Sequence, residues 1–482
     1  MGNKPSESPR SSARRRQGAV LRRLAIHTGA AGVSAVYALA LDIAALLRRP
    51  VAKHPTLDLP RMDLGQFGDR FLVVAAHPDD ETLGCGGIIR SLVERGVEVR
   101  VVFLTNGDGY WAAAGSEAEG LRWGPESYME LGRRRENEAR AAAKQLGLPD
   151  ESLEFYGFPD RGLAPLWTAF FDEPFQSPYT RADAPPYASS ALRESRYTGA
   201  SLLSGLGATI ERFKPTSVLV PHPLDDHPDH SAAYAFTTAA LYEQRLPCQL
   251  FTYLVHRGHW PYPGRNSRSN ALEPPKPLLS VGTHWKAVSL TGQQMQKKQD
   301  VLACYPSQTR LMKDFLRSFV RSNELVGQVA SVVAAPQGTS TKPQFIHPTK
   351  DTLTRKINRG ADIARIWVSV DSDSLSIRVE TSGKLQRGSA VRIHLRSFTG
   401  GCSRAMSLFY GTNGIQRQSG SQLSADGNTL EAKVPLAPLG RPEVLWIGVK
   451  TSRYKVSVDT NGWQPVHLNS GNDTKPKTDP PD

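Results

Sequence analysis

Between Phe71 and about Ser322, short runs of β-branched and aliphatic residues alternate with longer stretches of helical periodicity. Phe71–Ala76 is an apolar run, Val97–Leu104 reads as a second strand, and Ser217–Val220 as another. Arg133–Leu146 sets Ala and charged residues at helical spacing and stops at Gly147, and Ser231–Gln244 reads as a further helix. Strands alternating with helices predict an α/β domain: a Rossmann-like, mostly parallel sheet with helices on both faces. Near residue 333 the pattern changes. Leu375, Ile377 and Val379 alternate with Ser376, Arg378 and Glu380; Val391, Ile393 and Leu395 alternate with Arg392, His394 and Arg396. Similar runs at Leu430–Leu436, Val444–Val449 and Tyr454–Val458 predict a C-terminal antiparallel β-sandwich.

The pattern divides the chain as follows: a polar tail at 1–20, an apolar helix at 21–49, the α/β domain at 60–332, a linker at 333–350, the sandwich at 351–468 and a second tail at 469–482. Asp160–Arg196 and Trp260–Pro277 are long irregular insertions of the kind that form substrate-binding loops. The 482 residues carry a formal charge of +13, but the surplus is uneven. Residues 1–50 hold nine basic residues against Glu7 and Asp42, so more than half of the excess lies in one segment. No recognition helix or RNA-binding motif accompanies it, and nucleic acid is not expected as a partner. Directly after the Arg cluster, Leu24–Leu47 is a 24-residue apolar run, long enough to span a bilayer. An uncleaved anchor, an export signal cut near Ala38-Leu39-Ala40, and a soluble amphipathic helix all fit it. The first two place the protein in the membrane or the cell envelope rather than the cytoplasm. Four cysteines, all far apart, exclude a disulfide-dense scaffold and a Cys-type zinc site.

The chemistry lies at two strand ends. Past the first apolar run stands Ala76-His77-Pro78-Asp79-Asp80-Glu81-Thr82-Leu83-Gly84-Cys85-Gly86-Gly87, with one imidazole and three carboxylates inside five residues. In open α/β sheets, sites form at the carboxyl ends of the strands. Carboxylates packed this closely repel one another unless a cation stands among them. Past Ser217–Val220 comes His222-Pro223-Leu224-Asp225-Asp226-His227-Pro228-Asp229-His230, with two His and three Asp in its last six residues. Two histidines and one carboxylate plus water form a recurring hydrolytic zinc arrangement.

These residues resemble the PIG-L/LmbE-like zinc de-N-acetylases of N-acetylglucosamine-containing substrates. The opening A-H-P-D-D-E motif and Gly-rich turn stand at Ala76–Gly87, and the H-x-D-H motif at His227–His230. Arg135-x-x-Glu138, Phe155–Asp160 and Lys298 through Tyr305 to Ser307-Gln308 agree in order and spacing, and the resemblance covers about residues 70–322. It implies Zn2+ held by His77, Asp80 and His230. It makes Asp79 the general base, and His227 the group that stabilises the oxyanion or protonates the leaving amine, with Asp229 orienting it. Arg135 and Asp160 would contact substrate or brace the site. Asp225 stands where mycothiol-pathway members often carry a tyrosine, which argues against a thiol-cofactor sugar. The sandwich faintly resembles carbohydrate-binding-module-9/DOMON modules. Trp367 and Trp446, inside apolar runs, are read as core, whereas Trp463, beside a Gly turn, is read as a sugar-stacking candidate.

The expected function is therefore removal of an acetyl group from an N-acetylglucosamine-type amino sugar, in an extracytoplasmic glycan or glycolipid. The sandwich, tethered by a flexible linker, would raise the concentration of polysaccharide near the site. Hydrolysis of another small N-acyl compound, or a non-catalytic glycan-binding surface protein, are the alternatives.

Overall fold

A computed structural model describes residues 57–110, 113, 124–411, 414–416 and 420–468. The expected tail at 1–20, the apolar helix at 21–49 and the tail at 469–482 lie outside these residues. No helix among the described residues is long and apolar enough to cross a membrane.

The α/β part runs β1 (Arg70–Ala75), α1 (Asp80–Glu94), β2 (Glu98–Thr105), α2 (Pro125–Leu146), β3 (Leu153–Phe158), α3 (Leu163–Trp167), α4 (Gly199–Phe213), β4 (Ser217–Pro221), α5 (Pro228–Gln244), β5 (Gln249–Tyr253), β6 (Thr283–Ser289), α6 (Gly292–Leu302), α7 (Pro306–Arg317) and β7 (Asn323–Val329). The strand order is β3-β2-β1-β4-β5-β7-β6. β1 to β5 are parallel, and β7 runs antiparallel to both β5 and β6. From β1 the chain winds outward through β2 and β3, then returns to add β4 on the other side. The strand order therefore reverses between β1 and β4, and a crevice opens past their carboxyl ends. Phe71, Val73 and Ala75 pack into one buried cluster and Leu72, Val74 and Ala76 into another, which is why β1 is apolar throughout.

The sandwich contains β8 (Val332–Val333), β9 (Ala335–Pro336), β10 (Phe345–Ile346), α8 (Leu353–Ile357), β11 (Ile363–Val370), β12 (Ser374–Thr381), β13 (Ser389–Thr399), β14 (Cys402–Gly411), β15 (Gly414–Gln416), β16 (Gln422–Asp426), β17 (Thr429–Pro435), β18 (Val444–Arg453) and β19 (Val456–His467). One sheet has the order β10-β11-β12-β17-β16 with β9 on β11; the other is β15-β14-β13-β18-β19-β8. Along β18, Leu445, Ile447 and Val449 point into the core between the sheets. Val444 and Trp446 point the other way, into a cluster with Trp167, Phe171 and Phe236 of the α/β part.

Three expectations change here. The stretch read as a linker is structured: β8 pairs with β19, and β9 and β10 with β11. Trp463, expected to stack on sugar, is 9% exposed and packs 5.9 Å from Trp167, while the Trp446 indole N–H donates to Thr238 Oγ1 at 2.9 Å. The tryptophans close a seam between the two architectures. Tyr454–Val458 is likewise not one strand. Tyr454 and Lys455 take φ of 50° and 67° and turn the β18–β19 hairpin, a left-handed pair that sequence usually marks with Asn or Gly.

Trp446→Ala is expected to lower unfolding free energy by about 3–5 kcal/mol. Calorimetry of the whole chain should show the sandwich and the α/β part melting in one transition; two separated transitions would refute a shared core.

Candidate active site

The first motif turns sharply out of β1. The His77 backbone N–H donates to Asp80 Oδ2 at 2.8 Å, and Asp79 sits at φ 109°, ψ −25° before α1 begins. A left-handed φ this large is costly for a residue with a side chain, on the order of 1–3 kcal/mol, and persists only where surroundings impose it. Arg135 of α2 imposes it. Its guanidinium donates to the Pro78 carbonyl at 2.6 Å and the Gly107 carbonyl at 3.0 Å, and lies 3.4 Å from Asp79 Oδ1. Burial raises the Asp79 carboxyl to about 7, with Arg135 pulling the other way.

Beneath the turn, α1 breaks at Cys85, with φ of −150°. Glu324 re-caps it, accepting from the Gly87 and Ile88 N–H groups at 2.8 and 2.7 Å. Lys298 donates to Glu324 at 2.5 Å and to the Leu83 carbonyl at 2.8 Å. Gly84 has no room for a side chain: a Cβ there would stand 2.3 Å from the Tyr253 ring. The closing residues of the resemblance belong to this underlay. The Tyr305 hydroxyl donates to Glu81, and the Ser307 N–H and hydroxyl donate to Glu138 at 2.9 and 2.5 Å.

The second motif opens α5 three residues earlier than Ser231. Pro228 takes a first-turn position, where its missing N–H costs nothing, and His227 is the N-cap. Asp229 and His230 thus stand on the first turn, aimed into the crevice. There three donor atoms meet. His77 Nδ1 lies 3.4 Å from Asp80 Oδ2, His230 Nε2 3.2 Å from the same oxygen, and the two nitrogens 3.3 Å apart. A tetrahedral ion with ligand bonds of about 2.0–2.1 Å has ligand–ligand edges of about 3.3 Å. The outer nitrogens face carboxylates. His77 Nε2 is 3.3 Å from both Asp160 Oδ1 and Asp229 Oδ2, and His230 Nδ1 is 3.2 Å from Asp225 Oδ2. Carboxylates behind histidines set the ring so that the inner nitrogen presents its lone pair. The His230–Asp225 contact is too bent to count as a hydrogen bond, so its hold on the ring is electrostatic.

The charge balance agrees with a cation. Burial works against charge on both rings, but Asp160, Asp229 and Asp80 lift His77 well above its usual value, and Asp225 and Asp80 lift His230 to about 10. A divalent ion between the rings would neutralise the same carboxylates. The residues present fit a metal of the zinc type.

His77, Asp79, Asp80, Asp160, His227, Asp229 and His230 are all brought together. Asp229 differs from expectation: its carboxylate accepts the Arg161 and Leu163 N–H groups at 2.5 and 3.0 Å and faces His77, and it is its backbone N–H that donates to His227 Nδ1 at 3.3 Å. Arg135 braces the turn with its guanidinium occupied by protein carbonyls, rather than reaching for substrate. Asp160 accepts the Gly109 N–H at 3.1 Å; burial would raise it, yet His77 holds it down at about 2.

Two residues were missed. Asp225 accepts from the His227, Val255 and His256 N–H groups at 2.9, 3.0 and 2.9 Å, besides facing His230. His256 stands past β5 with its ring 4.9 Å from His230, stacked on Phe315. Its signal was its place just after a strand end.

Residues 72–241 match the family model described as PIG-L: GlcNAc-PI de-N-acetylase. Among curated relatives, the "1D-myo-inositol 2-acetamido-2-deoxy-alpha-D-glucopyranoside deacetylase" of Mycobacterium sp. (strain KMS) is 30% identical over 41% of this chain, and that of Mycobacterium sp. (strain JLS) 32% over 41%. The chain spans 58% of the length of each. Among solved structures, N,N'-diacetylchitobiose deacetylase from Pyrococcus horikoshii aligns with a TM-score of 0.34 at 20% identity, covering 53% of this chain and 79% of its own.

Arg135→Met would leave two buried carbonyls and Asp79 without their partner. It is expected to cost about 3–5 kcal/mol in denaturant unfolding; a loss under about 1 kcal/mol would show the brace to be dispensable.

Proposed function

We propose that the protein is a zinc-dependent hydrolase that removes the acetyl group from an N-acetylglucosamine-type amino sugar. The observation that carries this reading is the meeting of His77 Nδ1, Asp80 Oδ2 and His230 Nε2 at tetrahedral-edge spacing, with Asp79 and His227 beside them. The PIG-L match and the deacetylase names of the relatives support the substrate class. Bound there, zinc would lower the pKa of a water to about 7 and polarise the amide carbonyl.

The chain's own residues supply the rest. Asp79, held out of the helix by its left-handed backbone, accepts the proton of the attacking water. The Asp229 backbone N–H occupies His227 Nδ1, which leaves the ring proton on Nε2. Burial holds the His227 imidazole well below its usual value, which favours the neutral ring. A neutral N–H donor suits the carbonyl oxygen as negative charge builds on it. Of the two roles open to His227, this geometry favours oxyanion stabilisation. The proton held by Asp79 then passes to the departing amine, so water and amide give acetate and free amino sugar.

An envelope location rests on the basic-then-apolar order of residues 10–47. With Trp463 closed in the seam, polysaccharide binding by the sandwich loses its candidate residue, and we place recognition in the crevice itself.

His77→Ala and His230→Ala are each expected to abolish stoichiometric zinc binding, measured by metal analysis of the purified chain; full occupancy in both would remove the ligand assignment. Asp79→Asn keeps a side chain that tolerates left-handed φ. It should retain metal and lose about 10²–10⁴-fold in acetate release from an N-acetylglucosaminide, and near-normal turnover would exclude Asp79 as base. Fractionation should find the full chain in the membrane or envelope; recovery wholly in the cytosol would overturn the location.

A further inference from the structure

The site loop is gripped from outside the α/β part. Arg257, just past β5, donates through Nη1 to the Leu224 carbonyl at 3.2 Å and to Asp226 Oδ1 at 2.9 Å. Through Nη2 it donates to Asp351 Oδ2, which lies ahead of α8 on the sandwich side. Asp351 Oδ1 accepts from Arg355 of α8 at 2.7 Å, and Arg355 in turn pairs with Asp459 of β19 at 2.7 Å. Asp459 is fixed by the Ile363 N–H at 2.8 Å. The side chains of Arg257, Asp351, Arg355 and Asp459 are no more than 7% exposed.

A buried chain of alternating charges adds little net stability, because desolvation offsets the attraction; what it contributes is geometry. Its inner end is the turn Leu224–Asp226, and the next residues are His227 and the first turn of α5. A second contact meets the same loop. Gly462 of β19, at φ 68°, lies so close that a Cβ would stand 2.1 Å from the Pro223 carbonyl oxygen.

We infer that the sandwich is a permanent positioning element of the site: Asp351 holds Arg257, and Arg257 holds the turn from which His227 and His230 project. Asp351, Arg257 and Arg355 are positioning residues in this arrangement, and none touches substrate. The inference deepens the enzymatic reading, since it takes that loop as part of the active site.

Amide hydrogen exchange on the full-length, metal-free chain tests it, followed on peptides covering 222–231 and 254–258. Asp351→Asn is compared with Ile447→Val, which loosens the sandwich core without touching the ion chain. Relative to the amides of β1 and β4, Asp351→Asn should speed exchange of the loop peptides by about tenfold or more, and Ile447→Val by no more than about twofold. Should Asp351→Asn fail to fold, Arg257→Lys, which keeps the charge but loses the forked grip, carries the same expectation. Equal acceleration in the control, or none in the loop variant, overturns the inference. The measurement needs neither zinc nor substrate. A chain that released no acetate would refute the enzymatic reading and leave this one standing.

Discussion

Asp80 and Asp225 press on the two nitrogens of His230 from opposite sides, each at 3.2 Å, and both carboxylates are buried. Negative charge kept out of solvent must be matched locally, and the site is organised by that need. His77 answers Asp80, Asp160 and Asp229 together; Arg135 answers Asp79; the Tyr305 and Thr82 hydroxyls answer Glu81. The bracing helices, the left-handed Asp79 and the carboxylates behind both histidines together hold like charges close around the two rings.

Much of this was legible because the two motifs sit on the most strongly patterned parts of the chain. An apolar run followed at once by His and Asp identifies a strand end and its chemistry in the same stretch. What joins the motifs is not local. The strand order puts β1 beside β4 at the point where winding reverses, and nothing in residues 71–76 or 217–220 states that they are neighbours. Asp225 and His256 were missed for the same reason: their roles depend on β5 lying next to β4, which brings the Val255 and His256 N–H groups to one carboxylate. Tyr454 and Lys455 escaped because a hairpin turn was built without the Asn or Gly that announces one.

The tryptophans show a different limit. Period-two alternation told which side chains leave the sandwich core along β18, but not whether that outer face meets water, sugar or protein. Trp446 and Trp463 meet Trp167, and their cluster runs on into Phe236 of α5, the helix that carries Asp229 and His230. Arg396 of β13 donates to the Trp167 carbonyl at 3.0 Å, at the far end of α3, whose first N–H is held by Asp229. Thus the sandwich approaches the second motif along more than one route.

The close approach of Gly462 to Pro223 has a consequence for how such a protein can change over generations. A module joined by a tether can be exchanged between enzymes, since only its ends need to match. Here the backbone of one part lies against the backbone of the other beside the reacting groups. A substitution on either side of that seam is felt by the opposite side, so each part restricts what the other can accept there. The shift in pattern near residue 333 marks a change of architecture inside one compact unit.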